Sequence, residues 1–212
     1  MENKHQVHNL IILDESGSME SIKNTIIKGF NELVQTIHGI EKQFPEQEHF
    51  ISFVTFNSLG TKFIHLVDPA GKLSQIDDRK YCPNACTPLF DAMGFALVTL
   101  KQALTDKSNY NVLVTVLTDG EENNSKEYSV NSIKAMVEEL KQENWTFTYI
   151  GTDHDVEKIA LSISITNTLK FSRSDEDIKQ MFDIDKNARI KYSKNVSMFA
   201  NFSDNDNYFD KE

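Results

Sequence analysis

The feature that most constrains the fold of this chain is the segment at residues 111–117, whose sequence is NVLVTVL. Valine and leucine side chains alternate along it, so both faces of an extended strand would be largely apolar. Strands of this kind are typical of the middle of a parallel sheet that is covered by helices on both faces. The segment therefore predicts a sheet that is buried between two layers of helices.

Shorter strands and amphipathic helices are predicted to alternate along the rest of the chain. We expect strands at residues 8–13, 50–56, 62–67, 111–117, 145–150 and 163–171, and helices at 19–41, 88–104, 129–143, 156–161 and 174–192. The turn at residues 57–60 predicts a hairpin. Together these elements predict an α/β fold with a doubly wound, mostly parallel central sheet, one antiparallel edge strand and helices on both faces.

The organisation of the chain is predicted to be simple, because no repeat, linker or change of composition divides it. We expect a single domain over residues 1–200, with a core at residues 7–171 and a C-terminal helix at residues 174–192. The acidic, polar tail at residues 203–212 is expected to fray.

The charge of the chain argues against some partners. Its formal net charge of −10 disfavours binding to nucleic acid or to an anionic membrane surface. The first residues are polar, and the apolar run at residues 10–13 is too short for a signal peptide or a membrane span. A cytoplasmic protein is therefore expected.

Polar residues follow the predicted strands where a ligand would bind, because ligands of doubly wound sheets bind beyond the carboxyl ends of the strands. The loops after residues 13, 67 and 117 contain the segments DESGS, CTP and LTDG. Gly17 is expected to permit a tight turn in the first of them. The residues of these loops that carry suitable side-chain oxygens are Asp14, Ser16, Ser18, Thr87 and Asp119.

These five side chains suit a small divalent cation. Two carboxylates and three hydroxyls from separate segments could fill five of the six octahedral positions of Mg²⁺ or Mn²⁺, directly or through water. Such hard oxygen ligands favour these ions, and Ca²⁺ is a weaker candidate. The sequence therefore predicts a metal site at the carboxyl edge of the sheet.

The same segments resemble a known family. The pattern D-x-S-x-S after the first strand, T-P-L-x-D-A before a helix and L-T-D-G-x-E-N after the central strand looks like the von Willebrand factor A (vWA) domain with its metal-ion-dependent adhesion site. The resemblance covers roughly residues 7–171, and the segment YIGTD at residues 149–153 is similar to standalone bacterial members. It implies a protein-binding module in which Asp14, Ser16, Ser18, Thr87 and Asp119 hold the metal. An Asp or Glu of a partner protein would complete the coordination.

Two other functions are compatible with the same residues. A magnesium-dependent hydrolase of the phosphatase type could use Asp14 as its nucleophile, although such enzymes need a second acid two residues later, where this chain has Ser16. Alternatively, the metal could only hold three loops together in a structural subunit. No catalytic constellation and no nucleotide-binding motif are evident.

Other polar residues near these segments have simpler interpretations. Glu121 and Glu122 are expected to be solvated loop charges, and Asp153 is interpreted as part of a polar rim rather than as a metal ligand. Cys82 and Cys86 are expected to be plain thiols, with a reversible disulfide or a zinc site as alternatives.

Overall fold

The computed structural model describes residues 4–73, 75–152, 155–198 and 208–209. Its strands are β1 (His5–Asp14), β2 (Gln47–Asn57), β3 (Gly60–Pro69), β4 (Tyr110–Thr118), β5 (Trp145–Gly151) and β6 (Asn167–Lys170). Its α-helices are α1 (Lys23–Gln43), α2 (Leu89–Ala103), α3 (Val130–Lys141), α4 (Val156–Ser162) and α5 (Asp175–Ser197).

The strands form one sheet in the order β3-β2-β1-β4-β5-β6. Strand β3 is antiparallel to β2, as the predicted hairpin requires, and the other neighbouring strands are parallel. The predicted fold class is thus confirmed, including the antiparallel strand at one edge.

Two apolar clusters hold the layers together, one on each face of the sheet. Helices α1 and α5 pack on one face, and α2, α3 and α4 pack on the other. Strand β4 contributes Leu113 and Leu117 to the first cluster, while its three valines belong to the second. This division confirms that the segment NVLVTVL is a central strand, covered on both sides.

Two elements differ from the sequence prediction. The helix predicted from residue 19 begins instead as a 3-10 helix, Gly17–Ile22, which α1 follows. The last strand is shorter than predicted, because Ser164 has a left-handed backbone with φ of 59°. Ile163 and Ile165 are buried in the second cluster on either side of that turn, so their apolar character reflects packing rather than an extended strand.

The chain takes a long path from β3 to α2. Because β3 is antiparallel, residue 67 lies far from the carboxyl ends of the other strands. The chain then returns beside α1, where Asn31 exchanges two hydrogen bonds of 2.9 Å with the backbone of Ile76. The Tyr81 hydroxyl donates to the carbonyl oxygen of Asp14 at 2.7 Å. This path carries Thr87 to the edge where β1 ends.

The C-terminal part of the chain departs from the expectation of a frayed tail. Helix α5 continues beyond residue 192 to Ser197. Tyr208 and Phe209 are buried in the cluster formed with α1 and α5, so the predicted fraying is wrong for these two residues. The other residues of the predicted tail lie outside the described ones. In the described ranges, no helix is both long and apolar enough to cross a membrane.

Candidate metal site

The candidate site lies where β1 and β4 end side by side. Leu13 is paired with Leu117, so Asp14 and Asp119 follow neighbouring positions of the two strands. The next helix after β1 packs on one face of the sheet and the next helix after β4 packs on the other. A doubly wound sheet forms its ligand crevice at such a switch point, because the two connections diverge there.

The Asp14 carboxylate is fully buried, with 0% of the residue exposed, and is held from two sides. One oxygen accepts the backbone N–H of Ser16 at 2.7 Å, and the other accepts the hydroxyl of Thr118 at 2.6 Å. Burial nevertheless raises the pKa of Asp14 to about 6, with a further contribution from the charge of Asp119. A cation at this position would stabilise the ionised carboxylate.

A chain of hydrogen bonds joins the first loop to Asp119. The hydroxyl oxygens of Ser16 and Ser18 are 3.1 Å apart, and Ser18 donates to Asp119 Oδ1 at 2.6 Å. A hydroxyl that gives its proton to a carboxylate keeps lone pairs for a cation. Ser16 and Asp119 are buried while Ser18 is exposed, so the cluster opens to solvent at Ser18.

Thr87 enters the same hollow from the end of the long connection. A side-chain carbon added at Gly120 would lie 3.3 Å from Thr87 Oγ1 and 3.8 Å from Ser18 Oγ. Gly120 therefore leaves open the space between these hydroxyls. The structure brings all five predicted residues into one cluster.

Gly17 does not have the role that the sequence analysis expected. Among the described glycines, Gly60 alone has a positive φ, so the turn at Gly17 does not need a left-handed backbone. A carbon added at Gly17 would make only ordinary contact, 3.5 Å from the carbonyl oxygen of Ala85. The turn is instead the start of the 3-10 helix, and the Gly17 N–H donates to Ala85 O at 3.0 Å.

The first loop is braced by the segment that precedes Thr87. The Glu15 carboxylate accepts the backbone N–H of Cys82 at 2.6 Å, and the Glu15 carbonyl accepts that of Asn84 at 2.9 Å. Tyr81 is buried beside Asp14, and burial followed by the charges of Asp14 and Asp119 raises its pKa well above the usual range. It therefore remains a hydrogen-bond donor to the Asp14 backbone.

Acidic side chains fix the third loop to the start of α2. Asp91 accepts three backbone N–H groups, from residues 126, 127 and 128, at 2.8–2.9 Å. Burial alone would raise the pKa of Asp91, but these hydrogen bonds lower it. The Thr87 backbone N–H donates to Asn123 Oδ1 at 2.9 Å, and the Asn123 backbone N–H donates to the Thr87 carbonyl oxygen at 3.1 Å.

Glu122 belongs to the same brace, so its interpretation as a solvated charge is wrong. Its carboxylate accepts the backbone N–H of Phe90 at the start of α2, and both the N–H and the hydroxyl of Ser125, at 2.6–2.9 Å. One partner, Phe90, lies 32 positions away in the first turn of α2, so the local sequence did not reveal this contact. Glu121 is exposed, as expected.

Arg173 is a charged residue of the site that the sequence analysis missed. Its guanidinium lies 3.2 Å from Asp119 Oδ2, and 37% of its side chain is exposed. Arg173 follows β6 after two residues, so it also lies beyond the carboxyl end of a parallel strand. Applying the strand-end rule to every strand, rather than to three loops, would have found it.

The remaining predictions around the site have mixed outcomes. Cys82 and Cys86 are free and exposed, and the Cys82 thiol lies 3.3 Å from the carbonyl oxygen of Asp78. In the part of the chain that the structure describes, no three His, Cys, Asp or Glu side chains form a group that could hold a metal. Any metal site here must therefore use hydroxyl or backbone oxygens. Asp153 lies outside the described residues.

Comparison with known proteins agrees with this fold and places the chain in a class. The sequence model of the family described as von Willebrand factor type A domain matches residues 10–187. The chain therefore belongs to the von Willebrand factor type A domain family, whose members commonly act as adhesion or protein-interaction modules. No curated protein matches the chain.

Several solved structures are similar in fold at low sequence identity. The pilus adhesin SpaC of Lactobacillus rhamnosus GG has a TM-score of 0.64 and 14% identity, over 91% of this chain and 31% of that one. The vWF domain of the type V pili tip protein Mfa5 from Porphyromonas gingivalis has a TM-score of 0.60 and 11% identity, over 92% and 96%. Proximal thread matrix protein 1 of the mussel byssus has a TM-score of 0.57 and 15% identity, over 85% and 45%. The chain thus spans less than half of two of these proteins.

Proposed function

We propose that this domain is a divalent-metal-dependent protein-binding module. The metal, Mg²⁺ or Mn²⁺, would be held by Asp14, Ser16, Ser18, Thr87 and Asp119. The observation that carries the proposal is the convergence of two buried carboxylates and three hydroxyls at the switch point of the sheet. Membership of the von Willebrand factor type A family supports the protein-binding part.

The side chains of the cluster fit a hard cation by their chemistry. The donors are carboxylate and hydroxyl oxygens, which Mg²⁺ prefers. Ser18 directs its proton to Asp119, so its oxygen lone pairs can face a cation. The raised pKa of Asp14 indicates that ionising this buried carboxylate costs free energy, which a positive charge placed close to it would offset.

The bound ion would supply an electrophilic centre that attracts a carboxylate of another protein. The role of this chain is to limit the negative charge around it: two carboxylates face the divalent ion, the hydroxyls add no charge, and the Arg173 guanidinium beside Asp119 leaves the local balance positive. Glu15 and Glu122 do not change this balance locally, because each is committed to backbone N–H groups. A partner's Asp or Glu would therefore be favoured over a neutral side chain.

The experiment that tests the metal site is a calorimetric titration of Mg²⁺ and Mn²⁺ into the wild type and two variants. Asp14→Asn removes a carboxylate charge, and Thr87→Val removes one hydroxyl while keeping the side-chain shape and the backbone bonds to Asn123. We expect one saturable site, with affinity lowered at least about tenfold in both folded variants. Thr105→Val, at an exposed position just after the end of α2, is the matched control and should bind as the wild type does.

The partner is tested with paired synthetic peptides that carry either Asp or Asn at one position. Metal-loaded wild type should retain the Asp peptides, and EDTA or Asp14→Asn should abolish retention. If metal binds but no acidic peptide ever does, the ion serves only to hold the loops together. If metal does not bind at all, the proposed site is wrong.

The hydrolase alternative predicts a different result with the same protein. It requires magnesium-dependent turnover of a phosphate ester such as p-nitrophenyl phosphate, abolished by Asp14→Asn. Both Asp14 oxygens accept hydrogen bonds, and position 16 offers a serine in place of a proton-donating acid. We therefore expect no turnover.

A further inference from the structure

A second region with the features of a binding site lies along the edge strand β6, between this strand and α5. Tyr208 and Phe209 are buried there, with 5% and 6% of each residue exposed. They follow the last residue of α5, Ser197, by more than ten positions and lie in the acidic sequence DNDNYFDKE. Tyrosine is enriched among the residues that anchor protein interfaces in desolvated pockets, so the buried pair has the character of an anchor.

The contacts of Tyr208 combine a main-chain bond with recognition of its side chain. Its backbone N–H donates to Asn167 Oδ1, on β6, at 3.0 Å. Its hydroxyl donates to Asp185 Oδ1, on α5, at 3.3 Å. Its ring lies 6.2 Å from that of Tyr192 and 4.7 Å from that of Phe209, in tilted and edge-on arrangements. Peptide-recognition sites commonly combine such main-chain bonds with side-chain pockets.

The groove continues past the aromatic pair along the edge strand. Phe209 forms part of a cavity of about 560 Å³ together with Val156, Leu169 and Ile184. A second cavity of about 390 Å³ continues along Leu169 and Ile184 towards the start of α5. Among the strands that the structure describes, β6 pairs with β5 alone, so its outer edge borders this groove. Phe209 therefore lies at one end of a longer groove, and Tyr208 is buried beside it.

We propose that the groove between α5 and β6 is a peptide-binding site for a segment with a Tyr-Phe pair, and that residues 208–209 of this chain are its ligand. The site is separate from the metal cluster and does not depend on it. The Asp185 carboxylate and the Asn167 amide select the tyrosine hydroxyl and the peptide N–H, and the apolar surroundings select the rings. A protein carrying a similar segment would have to displace the chain's own.

The test uses the full chain with the double substitution Tyr208→Ala and Phe209→Ala, in EDTA so that no metal contributes. Fluorescence polarisation measures binding of the labelled peptide DNDNYFDKE, and of DNDNAADKE as the control peptide. We expect the first peptide to bind the double variant, at least about tenfold more tightly than it binds the wild type, because a tethered ligand competes at a high effective concentration. The control peptide should not bind. Substituting two exposed apolar residues, Leu59→Ala and Phe95→Ala, gives a matched variant that should behave as the wild type.

Two results would overturn the proposal. One is a double variant that is folded, by circular dichroism, but binds neither peptide at millimolar concentration. The other concerns a double variant that does not fold. Refolding it with the Tyr-Phe peptide should then restore the native circular dichroism spectrum. If the peptide did not restore it, the pair would be part of the core rather than a ligand. Rescue by the Tyr-Phe peptide but not by its alanine counterpart would support the site. A metal titration of the same variant distinguishes this outcome from any failure of the metal site.

Discussion

Charge is buried in two regions of this molecule, and it is compensated differently in each. In the core, Asp185 and Arg189 of α5 are each 1% exposed and form an ion pair of 2.7 Å. At the carboxyl edge of the sheet, Asp14 and Asp119 are 0% and 1% exposed, and the ion pair of Asp119 is to the partly exposed Arg173 at 3.2 Å. The core pair matches one negative charge with one positive charge, whereas the edge places two carboxylates beside one guanidinium.

The hydrogen bonds of the two regions sharpen this difference. The other donors of Arg189 are taken up by Asn9 at 3.1 Å and Thr115 at 2.7 Å, on two strands. The core charge is therefore satisfied within the protein and fixes α5 on the sheet. Asp14 has hydrogen bonds from Ser16 and Thr118, yet its pKa is raised to about 6. We infer that charge in the core serves structure, and that surplus negative charge at the edge serves binding.

The largest effect is expected from breaking the core pair. Asp185→Ala leaves a buried guanidinium without its counter-ion, so the free energy of unfolding should fall by about 3 to 5 kcal/mol in chemical denaturation. The double variant Asp185→Leu with Arg189→Met removes both charges and should recover most of the loss. A single variant that is as stable as the wild type would show that the pair does not fix α5.

At the edge of the sheet, removing a buried charge should have the opposite sign. The folded-state pKa of Asp14, about 6, lies above its usual 3.8, so ionisation at neutral pH costs stability in the metal-free protein. Asp14→Asn should therefore raise the free energy of unfolding in EDTA by about 1 to 3 kcal/mol. Mg²⁺ should stabilise the wild type but not the variant.

Asp91→Asn is the matched control for that experiment. Its carboxylate accepts three backbone N–H groups, and its pKa is lowered, so loss of the charge should lower the free energy of unfolding by about 1 to 2 kcal/mol. If Asp14→Asn and Asp91→Asn both lowered the free energy of unfolding, Asp14 would not be a surplus charge, and it would not differ from the structural charge of Asp91.

A smaller effect is expected from His8, which is buried near the start of the strand that ends at Asp14. Burial, then the charges of Lys107 and His49, lower its pKa from 6.5 to about 4. Protonation thus favours the unfolded chain, and this contribution to stability is lost as pH falls from about 6.5 to about 4. His8→Phe keeps the stacking on Phe50 but removes the titration. Between about pH 7 and pH 4.5, the variant should lose about 2 kcal/mol less than the wild type in denaturation measurements. Equal losses would contradict this account.

Much of the fold could be predicted from sequence because the information is local. The segment NVLVTVL determines a central strand by its own pattern, and the strand-end rule then places Asp14 and Asp119 beside each other. The same rule places Ser16 and Ser18, which follow Asp14 directly, whereas Thr87 was placed by the family resemblance alone, because the antiparallel β3 ends at the opposite side of the sheet. What could not be predicted depends on pairs that are distant in the chain.

Three examples show this limit. Thr118 orients Asp14 across 104 positions, and Arg173 reaches Asp119 across 54, so no local pattern relates the partners. Tyr208 and Phe209 lie in an acidic segment whose composition indicates a solvated tail, yet their rings are buried against α5. The composition of a segment gives only its average polarity, whereas the burial of two rings within it depends on the pocket that receives them.

Arg173→Gln is expected to have the smallest effect on stability. It also tests how the charges at the carboxyl edge of the sheet cooperate. Only the Arg173 side of the pair with Asp119 is exposed, and solvent screens its charge there, so loss of the pair should change the free energy of unfolding by about 1 kcal/mol. A guanidinium beside the cluster repels a divalent ion and shares the carboxylate that would hold it. Its removal should therefore raise Mg²⁺ affinity about threefold to tenfold in calorimetry.

Lys134→Gln, which removes an equal charge from a surface pair on α3, should leave Mg²⁺ affinity unchanged. If Arg173→Gln instead weakened metal binding while the control did not, the guanidinium would be holding Asp119 in position for the ion. The edge would then resemble the core, with an internal cation organising the carboxylate rather than competing for it. The sign of this one change in affinity therefore decides whether the two regions differ in kind.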